Sequence, residues 1–191
     1  MPNRRRFLSI FAVALTLPSL ARASETPIYI WSGTALGARA TIRLAHPDAP
    51  AIAARAAAEI NRLENVFSLY RIDSALMHLN AAGRIDAPPP ELLECLTLAA
   101  AAHRATGGLF DPTVQPLWAL WAERASSGAR PTARELAEAR GRGGWADLRY
   151  AASAVSLAPG MALTLHGIPP GHIADRVAPP PASAGRPGTP T

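Results

Sequence analysis

The chain has 191 residues, with 19 Arg, no Lys, a single Cys and a formal net charge of +5. Four of the arginines, Arg4, Arg5, Arg6 and Arg22, sit in an N-terminal leader, so the rest of the chain is left at +1, which excludes a broad phosphate-tracking surface for nucleic acid. The missing lysines exclude a Walker phosphate loop and Schiff-base catalysis, and a lone Cys95 excludes an intrachain disulfide or a thiolate metal cluster.

Residues 1–23 read as an export signal: Arg4-Arg5-Arg6-Phe7-Leu8, an apolar run over 9–17, Pro18, and the small-residue triplet Ala21-Arg22-Ala23. The apolar run is about half of the roughly 20 residues that a spanning helix needs, which suits removal and not a stable membrane anchor. Adjacent arginines ahead of Phe7-Leu8 fit the twin-arginine variety of signal, which carries folded proteins to an extracytoplasmic, periplasmic location.

Further on, Ile28-Tyr29-Ile30-Trp31 and residues 38–44 read as two short strands joined through a turn at Gly33-Thr34. Ile52, Ala56, Ile60, Leu63 and Phe67 recur three and four apart, which predicts an amphipathic helix over 50–66 with Arg55, Glu59, Arg62 and Glu64 on its wet side. A shorter helix runs from Asp73, as N-cap, to Asn80, and Gly83 stops it. Prolines 88–90 open the next helix, in which Leu92, Leu96, Ala99 and His103 share a stripe and Thr106-Gly107-Gly108 makes the exit. Cys95 reads there as a small buried hydrophobe, and His103 as a helix-end residue in preference to a ligand.

Leu117-Trp118-Ala119-Leu120-Trp121 predicts a helix whose aromatics are mainly core. Residues 132–140 form a polar helix, 145–157 a hairpin, 162–165 a buried strand, and 171–177 the start of a helix. Helices and strands mixed without strict alternation predict an α+β domain. The segment 178–191, with five prolines and almost no large apolar residue, reads as a disordered tail. Since the helix begun at Gly171 stops within about two turns, the domain over 24–177 is expected to be partial, through truncation or a frameshift.

Four blocks carry more than element information. They are Ser32-Gly33-Thr34; Phe67-Ser68-Leu69-Tyr70-Arg71-Ile72-Asp73-Ser74 with Leu79-Asn80; Thr106-Gly107-Gly108-Leu109-Phe110-Asp111-Pro112-Thr113-Val114-Gln115-Pro116-Leu117-Trp118; and the run from Leu163 to Val177. Together they resemble the ApbE family, which has Met-Gly-Thr, Ser-x-Tyr-x-x-Asp-Ser, Gly-x-Phe-Asp-x-Thr-Val-x-Pro-Leu and Leu-Asp-Leu-Gly-Gly-Ile-Ala-Lys-Gly-Tyr in these places. The third block is the most specific. The last is nearer to a NosX-like variant with Thr-Leu-Asn, and departs from the family at His166, Pro169, Pro170 and His172. The two histidines, six residues apart across Pro-Pro-Gly, match no recognised metal-ligand spacing.

The resemblance implies an ApbE-like mixed fold and an FAD-dependent transfer of FMN to a Thr or Ser hydroxyl of an acceptor protein, with AMP leaving and Mg²⁺ stabilising the pyrophosphate charge. It places Ser32, Tyr70, Leu109, Phe110, Asp111, Thr164 and Pro170 at the flavin nucleotide, and puts Mg²⁺ on backbone near Gly167 and Pro169. Asp111 has a second reading as a helix cap ahead of Pro112. The family's remaining metal ligands fall on a later segment that this sequence does not reach, so the chain is expected to lack transferase activity. A NosX-like flavin-binding maturation factor and a non-flavin extracytoplasmic interaction domain are the alternatives.

Overall fold

The computed structural model describes residues 27–35 and 37–177. The expected leader over 1–23 and the Pro-rich segment 178–191 lie outside the described residues. Eleven elements follow one another among those described: β1 (Tyr29–Ala35), β2 (Ala38–Leu44), α1 (Ala49–Phe67), α2 (Ala75–Ala82), β3 (Arg84–Asp86), α3 (Pro90–Ala105), α4 (Gln115–Ser126), α5 (Ala133–Arg140), β4 (Arg149–Tyr150), β5 (Ala154–Ser156) and α6 (Pro169–Val177). This is the expected α+β class. No helix among the described residues is long and apolar enough to cross a membrane.

Helix α1 is the hub, because the β1–β2 hairpin, α2, α3 and α6 all pack against it. Its Ile60, Leu63, Val66 and Phe67 are buried in one cluster with Leu76 and Leu79 of α2 and Leu92 and Leu96 of α3. Small alanines on the buried face let neighbouring backbones approach, and the leucines fill the space between them. A three-stranded antiparallel sheet, ordered β3-β5-β4, closes one end of this core through Val155.

Four expectations are corrected. The hairpin turn is not at Gly33-Thr34: Ser32 pairs with Thr41 and Gly33 with Ala40 inside the ladder, and the register runs on to Ala35 opposite Ala38. The turn falls between Ala35 and Ala38, where Gly37 takes φ +79°. Ser74, not Asp73, caps α2, its side chain accepting from the Met77 N–H at 3.1 Å. Glu64 is not on the wet side of α1 but buried, in an ion pair with Arg71. Residues 162–165, of which Leu163 and Leu165 are buried, join no sheet among the described residues; instead the Asn80 side chain donates to the Leu163 carbonyl at 2.9 Å and accepts from its N–H at 2.8 Å.

A further difference concerns the aromatics of α4. No residue of that helix is buried; Trp118 is 54% and Trp121 46% exposed. Among the described elements the helix packs chiefly against α5, and its apolar side lines open clefts.

Cys95 is fully buried, and burial pushes its thiol from 9.0 up to about 12. A raised folded-state value favours the folded protein fully below 9.0 and loses that contribution as pH climbs towards 12. Iodoacetamide at pH 8 therefore leaves Cys95 unmodified in the native protein and alkylates it in urea, as mass spectrometry will show. The urea midpoint falls between pH 9 and 12 more steeply in the parent than in Cys95→Ala.

Candidate flavin cleft

Residues 68–71 leave α1 in an extended path that is held by polar contacts. The Arg71 guanidinium donates to Asn65 Oδ1 at 2.7 Å, to Asn61 Oδ1 at 2.8 Å and to Glu64 Oε2, all on α1. Ser74 Oγ donates to the Ser68 carbonyl at 2.6 Å, and the Tyr70 N–H donates to Ser68 Oγ at 3.1 Å. These bonds hold Tyr70 with its ring 66% exposed, a position that apolar burial alone would not select.

The third block makes the opposite wall. Positive φ at Gly107 (+59°) and Gly108 (+87°) turns the chain at the end of α3. The Phe110 N–H donates to Thr106 Oγ1 at 3.0 Å, and His103 Nδ1 meets the Phe110 carbonyl at 2.8 Å. Asp111 Oδ1 accepts from the Thr113 N–H at 2.8 Å and from Thr113 Oγ1 at 2.7 Å, capping the 3-10 turn Pro112–Val114 that leads into α4. The capping reading of Asp111 is therefore correct. It also lines the cleft described next.

The fourth block closes the site from below. The Thr164 N–H donates to the Pro112 carbonyl at 2.8 Å, which joins the fourth block to the third. His166 Nδ1 lies 3.1 Å from Thr164 Oγ1, and the imidazole edge packs on Tyr70 with ring centroids 5.8 Å apart. Burial lowers the His166 pKa from 6.5, which favours the neutral imidazole. Gly167 lies flush against Phe110: an added Cβ would stand 2.9 Å from the ring.

Between these walls lies a cleft of about 540 Å³, lined by Tyr70, Leu109, Phe110, Asp111, Thr164 and Gly167 among others. Six of the nine expected site residues thus converge. Ser32, on the exposed side of the hairpin, does not line it. Pro169 is buried at the start of α6, and Pro170 faces a separate 370 Å³ cavity under the hairpin. The two prolines take the first positions of α6, where a backbone donor has no intrahelical partner in any case. Seven further lining or bordering residues were not among the expected site residues. Leu69, Pro112, Val114, Gln115, Trp118 and His166 line the cleft, and Gly37 lies against Tyr70. Gln115 and His166 sat inside matched blocks, but their side-chain directions are set by tertiary packing.

The volume lies within the range of small-molecule sites, and the lining is aromatic with a few polar groups, as an aromatic heterocycle requires. Gln115 Oε1 is buried there without a partner, a polar atom that a ligand donor would satisfy. The cleft thus fits the ring system of a flavin nucleotide. Arg142, a candidate for its phosphates, lines an adjoining 620 Å³ cleft that shares Tyr70, Gln115 and Trp118. For Mg²⁺ the residues do not fit: Gly167 and Pro169 bring no side-chain donor, and no three His, Cys, Asp or Glu side chains come together among the described residues.

Residues 36–185 match the family model described as the ApbE family, and the chain belongs to that family. No curated protein sequence matches it significantly. Among solved structures, it is similar to the apo form of the flavinyl transferase ApbE of Pseudomonas stutzeri, with 21% identity and a TM-score of 0.71 over 81% of this chain and 52% of that one. It is likewise similar to the flavin transferase ApbE of Vibrio cholerae (24%, TM-score 0.69, 79% and 52%) and to the ApbE protein of Thermotoga maritima (24%, TM-score 0.71, 79% and 51%). These likenesses establish the fold. The chain spans about half the length of each of these structures.

Gly37 is the site residue most exposed to a simple test. An added Cβ would stand 2.8 Å from Tyr70 Cε2, on a backbone at φ +79° that L side chains rarely adopt. Gly37→Ala is expected to cost about 1–2 kcal/mol and to displace the Tyr70 ring. Thermal melting checks the first and the Tyr70 ring resonances in NMR spectra the second; an unshifted melting temperature contradicts this account of the hairpin.

Proposed function

We propose that this chain provides the flavin-holding part of an exported enzyme that transfers FMN from FAD to a Thr or Ser hydroxyl of a target protein. The observation that carries the reading is the convergence of Tyr70, Leu109, Phe110, Asp111, Thr164 and Gly167 on one aromatic cleft from three separate parts of the chain. Membership of the ApbE family supports the same class of chemistry. Export by the twin-arginine route, from the Arg4 to Leu8 pattern, belongs to the proposal. Mg²⁺, which the resemblance implies, finds no ligand set among the described residues, and no step is assigned to it here.

When bound, FAD brings the phosphoester that is handed to the acceptor; the residues of this chain bind and orient it. Tyr70 and Phe110 offer ring faces from opposite walls, and Gly167 leaves room for close approach. Gln115 Oε1 and the neutral His166 supply polar positions that fix the ring's orientation. The cleft's apolar walls exclude water from one side of the nucleotide. A second reading, a NosX-like factor that holds flavin without transferring it, is favoured by Asp111, whose Oδ1 is committed to Thr113.

FAD titration followed by fluorescence tests the shared part of both readings. The chain is expected to bind FAD, and Tyr70→Ala to weaken binding by roughly 1–3 kcal/mol, the value of a base stacked on an aromatic ring. Equal affinities for the two proteins would remove Tyr70 from the site, and no binding by the parent would reject the flavin reading.

Transfer is a separate measurement. Incubated with FAD, Mg²⁺ and an acceptor protein, the 191-residue chain is expected to leave no covalent yellow fluorescence on the acceptor in a denaturing gel. A labelled acceptor band would show that this chain suffices for transfer and would overturn that expectation.

A further inference from the structure

His103 stands at the end of α3, outside the lining of the cleft, yet its side-chain hydrogen bond runs to the cleft wall. Nδ1 lies 2.8 Å from the Phe110 carbonyl. A carbonyl oxygen only accepts, so Nδ1 carries the proton. The other half of the same residue's backbone is held from the same turn of α3, where Thr106 Oγ1 accepts from the Phe110 N–H at 3.0 Å and itself donates to the Ala102 carbonyl at 2.9 Å. Both backbone polar groups of Phe110 are thus clamped to one helical turn.

Behind the imidazole stands a rigid support. His103 stacks on Trp145 with ring centroids 5.4 Å apart and planes 23° from parallel, and Trp145 meets Tyr150 of β4 edge-on at 6.4 Å. Gly108 is a neighbour too: an added Cβ would sit in ordinary van der Waals contact, 3.6 Å from His103 Cε1. The imidazole is therefore supported by Trp145 and, through it, by Tyr150 of the three-stranded sheet. What it fixes in turn is Phe110, whose ring lies against Gly167, and through the next residue the Asp111 cap.

We propose that His103 is a positioning residue of the flavin cleft: its Nδ1–H, braced by Trp145, holds the Phe110 carbonyl so that the 109–111 wall is formed before any ligand arrives. The inference rests on the flavin reading only for its ligand; the clamp itself is a property of the chain. Wall residues fixed in advance spare the ligand the ordering of a Gly-Gly loop, which otherwise subtracts from affinity. Since the wall carries Leu109, Phe110 and Asp111, its loosening affects binding without removing a contact that His103 makes with ligand.

Two variants of the full chain separate the two halves of the device. His103→Phe keeps an aromatic ring on Trp145 and removes the donor; His103→Asn keeps a donor near the Nδ1 position and removes the stack. His103→Phe is expected to bind FAD about tenfold more weakly, the loss of one well-placed hydrogen bond, and His103→Asn to restore most of that loss. The visible absorption band of bound flavin should move in His103→Phe and return in His103→Asn, a pattern that lowered stability alone does not give. In the ligand-free protein, amide hydrogen exchange at Phe110 should quicken in His103→Phe and slow again in His103→Asn. Parent-like affinity and parent-like exchange in His103→Phe would overturn the inference. If the parent binds no FAD, the flavin reading fails, and the exchange comparison still decides the clamp.

Discussion

A primary amide replaces a missing strand at the centre of this protein. The side chain of Asn80 presents one donor and one acceptor to the Leu163 peptide, which is buried and has no neighbouring strand. Without that pair the segment through Met161, Leu163 and Leu165 would carry an unsatisfied peptide into the core, at a cost of about 1–3 kcal/mol for each orphaned group. One residue further on, the Thr164 N–H reaches the Pro112 carbonyl. The extended segment is thus tied to α2 on one side and to the start of α4 on the other. These two ties bring parts of the chain more than 80 residues apart in sequence into a single cleft.

The cleft needs an exposed aromatic ring held still, which hydrophobic burial does not provide. Here polar geometry does the holding. Three partners on α1 fix the Arg71 guanidinium, whose planar fork suits several acceptors at once, and Tyr70 is carried by the adjacent peptide. The buried Glu64 carboxylate is tolerated because that guanidinium answers it. Helices α1 and α3, the two longest, therefore each deliver one wall through a short polar device at the C-terminal end, so the loops that carry the site residues are tied to rigid elements.

The sequence made α1 and α3 readable because their evidence is local: apolar spacing and prolines at the start; α5 is likewise local, and the structure closes it with a Thr132–Glu135 capping box. The third block located the cleft wall for a similar reason, as its glycines and Asp111 cap act within a few residues of themselves. What stayed hidden was set at a distance. Gly33 and Gly37 are both plausible turn residues, and the choice between them depends on which register puts Trp31 and Ile42 on the inner face. Residues 162–165 alternate as a strand does, but whether a ladder partner exists is decided by α2. Glu64 looked solvated because its partner belongs to the next loop. Trp118 and Trp121 looked like core because an apolar side shows only a preference for cover and not what supplies it. His166 fell in a matched block at a point of departure, and its place beside Tyr70 required the fold.

The β1–β2 hairpin has a consequence of another kind. A two-stranded ribbon is marginal by itself, so this one is held down by α1 and by the seat of its turn, Gly37, against the ring of Tyr70. Its lifting away is a low-energy local opening compared with unfolding of the core. That opening and ligand occupancy share Tyr70, so by thermodynamic reciprocity each shifts the other by the same factor. The hairpin is in this sense an internal competitor or helper for the ring face, and the protein carries its own measure of occupancy in the protection of seven antiparallel residue pairs.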